Sequence, residues 1–496
     1  MRIVVIGAGL GGLSAAAHLV RRGHDVTVIE RDSAPGGRVG IIEEAGFRLD
    51  TGPAVLTMPQ ILADTFAAAG QSMADYVTID QVDPMYRAVF PDGSELRVRH
   101  GREAMTDEIR RFANAREAGA FNEFCEWLGE LYEVEMKHLL DANFDSVLGL
   151  LKPWRAILDL IRMGGFGRLD TKVASFFEDD RLRRTFSFQS MYAGVAPHDA
   201  LALLSVITYM DTVGGVFMPR GGINTMVTGL AKAVSAAGAA IRYNSPVTRI
   251  LRGGDGAVTG IELGGSERIA ADVVVCNADL PVAYRTLLGG VDAPRVARRG
   301  TYSPSALVWV AGVRGMAPEA AAHHNIHFGN DWDSAFRAVI KRGVRMRDPS
   351  TLVTLHSLDD STLAPEGCST LYALEPVPNL DGRINWTRDA DRYADDLRRR
   401  VGSLGYPVND VVVDRVYDPL DFEAMGMERG TPFSLAHTIR QSGPFRPNNI
   451  DKRVPGLFFT GSSTLPGVGV PMVLISGKLA AERVQQYARD TSVLRW

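Results

Sequence analysis

The chain has 496 residues, carries a formal net charge of −4 at pH 7 and is 23% charged. That length leaves room for two or more domains and a large core, the composition excludes a disordered chain, and the slight acidity argues against a general nucleic-acid binder. Its three cysteines, Cys125, Cys276 and Cys368, are far apart and odd in number, so they form no metal or disulfide pattern, as in a reducing cytosol.

The first thirty residues hold the strongest signal. Ile3-Val4-Val5-Ile6 is a β-branched run that reads as a buried parallel strand. Gly7-Ala8-Gly9-Leu10-Gly11-Gly12 follows at once, then an Ala-rich helix from Ser14 to Arg22, closed by Gly23. Val26 to Ile29 reads as a second strand, ending at Glu30. This is a complete βαβ dinucleotide-binding fingerprint. Gly7 allows the tight turn, Gly9 lets the backbone approach a pyrophosphate, and Gly12 lets helix and strand pack closely. Glu30 is placed to accept a hydrogen bond from a ribose hydroxyl. The alternative is a glycine-rich turn in some other α/β protein, which would not need the second strand and its acid. An uncharged run behind Arg2 also imitates a signal peptide, but the glycine spacing and Glu30 account for it better.

Arg31 opens a loop through Gly36-Gly37-Arg38 that suits close passage beside a diphosphate, with Arg38 as a charge-assisted donor. Asp50-Thr51-Gly52-Pro53 is a further turn. A Gly-Gly-Arg loop just past the acid resembles the FAD-binding superfamily that includes the amine oxidases. No second Gly-x-Gly-x-x-Gly unit follows a strand, which disfavours reductases that hold both FAD and NADPH.

Residues 101 to 210 are mostly helical in pattern. Leu148, Leu151, Trp154, Leu158 and Ile161 recur at helical spacing, interleaved with Lys152, Arg155 and Arg162. Pro153 suits a first helical turn. Basic residues and Trp on an apolar helix are what a membrane-surface element needs; the alternative is a helix packed on the protein's own core.

Val216 to Gly222 introduces a helix from Ile223 to Ala237. Ala240 to Tyr243 and Pro246-Val247 to Leu251 read as strands, Gly253-Gly254-Asp255-Gly256 as a hairpin turn into Ala257 to Leu263, and Ala271 to Ala278 as a strong buried strand. Ala306 to Val313, Thr351 to His356 and Thr370 to Glu375 are further strand candidates, and Tyr393 to Leu404 is helical. Val454 to Gly477 is uncharged and long enough to span a bilayer, but five glycines, three prolines and a polar centre make it strand, loop and helix start. The final helix opens at Gly467-Val468-Gly469-Val470-Pro471 and runs to Ala488.

Other constellations weigh less. His323, His324 and His327 have zinc-compatible spacing but no cysteine or acid close in sequence, so buried histidines are favoured over a metal. Asp211 and Glu428 are candidate bases, against the usual fate of acids as solvated surface groups. No Gly-x-Ser-x-Gly or triphosphate loop occurs, which sets hydrolases and kinases aside.

Over nearly the whole chain these segments resemble the bacterial carotenoid desaturases typified by phytoene desaturase. The fingerprint and Asp50 to Pro53 fit that family. So do Gly215 to Gly222, Ala271 to Asp279, His323 to Gly329, Ala364-Pro365-Glu366-Gly367 with Glu375-Pro376-Val377-Pro378, and Arg446 to Gly461 with Pro466 to Pro471. Two features depart from it. Ser463 and Leu465 stand where the family's C-terminal motif has Gly and His, and Met218 stands where an aromatic is common.

The resemblance implies an α/β fold with a discontinuous Rossmann-like FAD domain (1–95, 215–290 and 415–496), an inserted α+β substrate domain (96–214 and 291–414) and a helical membrane-facing lid. It implies FAD as cofactor, with Gly7, Gly9, Gly12, Glu30, Arg31, Gly36, Gly37, Arg38, Thr51, Gly52, Val247, Gly461, Gly469, Val470 and Pro471 as the binding set. It implies a long phytoene-like polyene as substrate, no metal, a quinone or oxygen as electron acceptor, and a cytoplasmic protein held peripherally on the inner face of the cell membrane. Two rivals share the frame: an amine oxidase, and a flavin-free prenyl carrier like the GDP-dissociation inhibitors.

Overall fold

The computed structural model describes residues 1–493. β1 (Arg2–Ile6), α1 (Leu10–Val20) and β2 (Asp25–Ile29) form the expected opening unit. β1 is the centre of a five-stranded parallel sheet. On one side it pairs with β2, with Val5 opposite Val28, and β2 pairs with Ala240–Arg242. On the other it pairs with Val273–Cys276, Val5 opposite Val275, and that strand pairs with Leu457–Phe459. The sheet thus collects strands from both ends and the middle of the chain. Its central strands are apolar on both faces because α1 and the last helix, Val470–Val493, cover one face and a second apolar cluster covers the other. α1 is Ala-rich because it is buried along most of its length, and Ser14 Oγ donates to Leu474 O of the last helix at 2.6 Å. No helix among the described residues is long and apolar enough to cross a membrane.

A seven-stranded sheet forms the second layer system. Its order is Val411–Tyr417, Ser305–Arg314, Cys368–Val377, Thr351–Thr354, His324–His327, Tyr86–Val89 and Glu95–Val98. The pairing is antiparallel except between His324–His327 and Tyr86–Val89. The borders expected at 95 and 415 therefore fall inside a hairpin (86–98) and a strand (411–417) that both belong to this second sheet. A helical cap, including Ala115–Glu135 and Trp154–Arg162, fills residues 102 to 213. The α/β class with an inserted α+β region and a helical cap is the architecture the chain adopts.

Candidate cofactor site

β1 delivers the chain to Gly7, whose φ of +98° turns it beneath α1. A Cβ on Gly12 would lie 2.1 Å from Gly7 O, so only glycine lets the helix start this close to the turn. The first helical bond runs from Leu13 N to Gly9 O at 2.9 Å. The amides of Leu10, Gly11 and Gly12 precede it, forming an anion-facing helix start. The Gly36-Gly37 loop lies alongside, bridged to Gly9 and held by Gly36 N donating to Ala8 O at 3.2 Å. Thr51 and Gly52 come next to that loop: Thr51 N donates to Gly40 O at 3.0 Å.

Glu30 is buried at the end of β2, accepting from Ala8 N at 2.6 Å and Asp32 N at 3.0 Å. Its carboxylate is thus fixed beside the glycine turn, where a ribose would reach it. Asn244 and Ser245 donate to Asp32 O and Glu30 O at 2.9 and 2.8 Å, which brings Val247 to the same edge. Arg31 instead reaches outward, its guanidinium donating to Met425 O at 2.7 Å.

Arg38, expected as a diphosphate donor, has protein partners. Its guanidinium donates to Pro432 O at 2.7 Å and Ser462 Oγ at 2.6 Å and lies 3.4 Å from the Asp279 carboxylate. The reason is electrostatic: Asp279 is buried, which pushes its pKa up, and Arg38 offsets that burial. Asp279 also accepts from Glu428 N at 2.9 Å and from Ser463 Oγ, which in turn lies 3.1 Å from Ser434 Oγ. Ser463, one of the two departures from the family motif, is therefore part of this polar node. Leu465, the other, packs with Met210, Met472 and Ile475.

The C-terminal turn is held from beneath by Arg446. Among the described residues its buried guanidinium pairs with no carboxylate. It donates to four backbone carbonyls instead: Ser462 at 2.6 Å, Thr464 at 3.1 Å, Leu435 at 3.2 Å and Gln441 at 3.3 Å. Burial pushes its pKa down to about 10. Above it, Gly469, with φ of +116°, is exposed between buried Gly467 and buried Val470-Pro471, and the last helix starts there. A helix N-terminus at that point favours negative charge.

Sequence reasoning missed Asn277, Asp279 and Arg446. Asn277 follows Val273–Cys276, and its side chain fills the seam between the fingerprint and the C-terminal turn. A Cβ on Gly11 would meet Asn277 Oδ1 at 2.7 Å, one on Gly461 at 3.1 Å. The signal was the Asn-Ala-Asp ending of a strong strand. The expectation that Asp211 and Glu428 follow the usual rule for acids is corrected: both are buried, Glu428 against Arg285 at 2.9 Å.

Histidine burial goes further than the one or two buried or site-facing rings expected at His323, His324 and His327. His323, His324, His327 and His356 are all buried, and among the described residues no group of three or more His, Cys, Asp or Glu side chains is placed to hold a metal. His323 Nδ1 lies 2.6 Å from Asp359 Oδ2, and His327 Nε2 lies 2.9 Å from Tyr406 OH. Burial pushes His327 down to about 4 and His356 to about 3, so both are neutral at physiological pH.

These residues fit a dinucleotide with a flavin. The helix start would hold the diphosphate and Glu30 the ribose, and Asn277 links the fingerprint to the C-terminal turn at Gly461. Residues 10–485 match the model of the family described as flavin containing amine oxidoreductase. The chain is 46% identical to the phytoene dehydrogenase of Streptomyces griseus over 97% of its own length and 94% of that protein. It is 36% identical to the zeta-carotene-forming phytoene desaturase of Myxococcus xanthus, covering 99% and 95%. In fold it is similar to a solved oxidoreductase from Methanosarcina mazei, with a TM-score of 0.60 at 20% identity over 98% of this chain and 100% of that one. With the family matched along almost its entire length, the chain belongs to the flavin-containing amine oxidoreductases, on the branch of the phytoene desaturases, and is an FAD-dependent oxidoreductase.

Proposed function

We propose that this enzyme desaturates a carotenoid such as phytoene. The observation that carries the reading is the kinship with the Streptomyces phytoene dehydrogenase, which extends over both the cofactor residues and the cap. When bound, FAD supplies the acceptor for a hydride leaving the polyene. This chain's part is to bind and orient: the glycine turn and Glu30 hold the dinucleotide, and the apolar packing of Leu465, Met210 and Met472 makes the surroundings of Leu465 in the C-terminal turn apolar. A quinone or oxygen takes the electrons afterwards. We divide the chain functionally as the sheets do, with the hairpin 86–98 and the strand 411–417 on the substrate side. The test is expression in cells that accumulate colourless phytoene. Coloured conjugated polyenes are expected. A flavin-loaded protein that leaves phytoene colourless and releases peroxide from amines would sink the reading in favour of an amine oxidase.

A polyene with no polar handle must be collected from a bilayer, and the cap carries a surface suited to that. Leu148, Leu151, Trp154 and Ile161 are 72%, 68%, 53% and 56% exposed, and Leu158 and Phe166 are exposed beside them. The turn Gly443–Phe445 packs against Val147–Leu151 and adds exposed Phe445, with Ile439 nearby in sequence. So many large apolar side chains in one exposed segment are unusual on a protein bathed only in water. Ile157, in the same helix, is packed against the core. Lys152, Arg155, Arg162 and Arg168 are exposed around the patch, which matches an anionic lipid surface. Each contributes about 1 kcal/mol near such a surface. Lys152→Glu/Arg155→Glu is expected to weaken sedimentation with anionic liposomes at least about tenfold at low salt, with the difference shrinking at high salt. Equal sedimentation of both proteins at low salt would return this segment to a role within the fold.

A further inference from the structure

Removing two hydrogens from an alkyl chain needs a place for the proton as well as for the hydride. Several carboxyls are buried in the fold, and their surroundings separate them. Asp50 uses both oxygens to accept from Ile223 N and Asn224 N at 2.8 and 3.0 Å, so it is a helix cap. Glu428 and Asp279 are tied to Arg285 and Arg38. Asp359, which is exposed, is held by buried His323. Glu135 is buried with Oε1 unpartnered, and burial alone pushes its pKa well up; among the described residues no hydrogen-bond partner stands by that oxygen to take a proton from it.

Asp211 is different. It lies in Tyr209–Val213, a single π-helical turn, a feature that recurs at functional sites. Three parts of the fold meet there. Met210, its neighbour, packs with Leu465 and Met472 of the C-terminal turn and last helix. Tyr209 stacks on Tyr132 of the cap with ring centroids 4.3 Å apart. Thr212 Oγ1, which donates to Asp211 Oδ1 at 2.8 Å, lies 3.4 Å from the hydroxyl of Tyr86 on the seven-stranded sheet. Gln189 Nε2 lies 3.4 Å from the same hydroxyl, and Thr208 Oγ1 donates to Gln189 Oε1 at 3.3 Å.

We propose that Asp211 is the base that takes the proton in each desaturation, with Thr212 and Tyr86 next in line to carry it away. The proposal rests on the carotenoid reading above. The balance is simple. One allylic C–H gives up a hydride, with its two electrons, to the flavin. The adjacent C–H then breaks, its electron pair becomes the new C=C bond, and its proton goes to the Asp211 carboxylate, which becomes a carboxylic acid. Burial raises the pKa of Asp211 to about 7, with Thr212 and Gln189 partly offsetting it, which poises a carboxylate to accept and release a proton near neutrality. The titratable groups on the elements packed around it are Tyr86, Tyr192, Tyr132 and Glu135. Burial raises all of them.

The experiment follows flavin bleaching by phytoene in liposomes, without oxygen, in the holoenzyme. The wild-type rate should rise with pH through about 7, because the ionised form is the active one. Asp211→Asn is expected to slow bleaching by a factor of about 100 or more and flatten the profile, with flavin content and phytoene uptake unchanged. Asp211→Glu should recover part of the rate. An Asp211→Asn rate within about threefold of wild type overturns the assignment. Infrared titration of the protein without polyene supplies the second arm. A carboxylic C=O band that disappears as pH rises through neutrality, and is missing in Asp211→Asn, supports the proposal; identical spectra overturn it. A wild type that phytoene does not bleach refutes the carotenoid reading instead, and the infrared arm then still decides whether Asp211 holds a proton that titrates near neutrality.

Discussion

Arg446→Leu is expected to destabilise the protein by more than about 4 kcal/mol and to abolish flavin retention. Leucine would leave the carbonyls of Ser462, Thr464, Leu435 and Gln441 buried without their donor. An unsatisfied buried polar group costs about 1–3 kcal/mol. Losing several donors at once therefore removes a large part of the 5–15 kcal/mol that holds a typical domain folded. Arg446→Lys keeps the charge but has a point-like ammonium in place of a planar fork, so it is expected to recover only part of the loss. Denaturant unfolding of the three proteins, with flavin-to-protein ratios after gel filtration, measures both effects. A leucine variant that unfolds at the wild-type midpoint would show that the turn is held by something else.

Gly9→Val separates cofactor binding from folding. A Cβ at this position would lie 3.0 Å from Asn277 Nδ2, the far end of a side chain, which must shift by a few tenths of an ångström, whereas no backbone atom lies closer than 3.8 Å. The valine methyls would stand in front of the α1 start, in the space a diphosphate needs. The expected result is a folded protein with wild-type circular dichroism and flavin affinity lowered at least about tenfold, or 1.4 kcal/mol. Gly12→Val makes the contrast, since its Cβ would lie 2.1 Å from the backbone oxygen of Gly7 and the unit itself must distort. A Gly9→Val protein that keeps its full flavin would remove the diphosphate from this turn.

Local patterns were legible in the sequence wherever period and turn chemistry agree. β2 was expected over Val26 to Ile29 and spans Asp25–Ile29; the turn at Gly253 to Gly256 joins Val247–Arg252 to Val258–Leu263 as expected. α1 begins at Leu10 rather than Ser14 because Gly11 and Gly12, read as loop, form its first turn against Gly7. The hydrophobic residues from Leu148 to Ile161 were visible as a stripe, but spacing alone did not say whether it faces the core or the solvent; all five of its residues are exposed. The polar interior was illegible for a different reason. Arg38 meets Asp279 across more than 200 residues, and the Arg446 guanidinium is satisfied by carbonyls, which every residue has. No residue pattern announces either. Asp211 was visible as an acid, but its burial depends on the meeting of cap, sheet and C-terminal turn.

The central sheet has a consequence for biosynthesis. β1 needs Val273–Cys276 as its neighbour, which in turn needs Leu457–Phe459, and α1 lies against a helix that begins only at Val470. At about 5–20 residues per second, a ribosome has held the apolar N-terminal unit for tens of seconds before those partners emerge. The unit most specific to the cofactor is thus among the first made and the last completed. Flavin uptake becomes a late, post-translational event. A chain cut short by as little as its final helix would expose α1 and the C-terminal turn together, presenting apolar surface of the kind that chaperones bind.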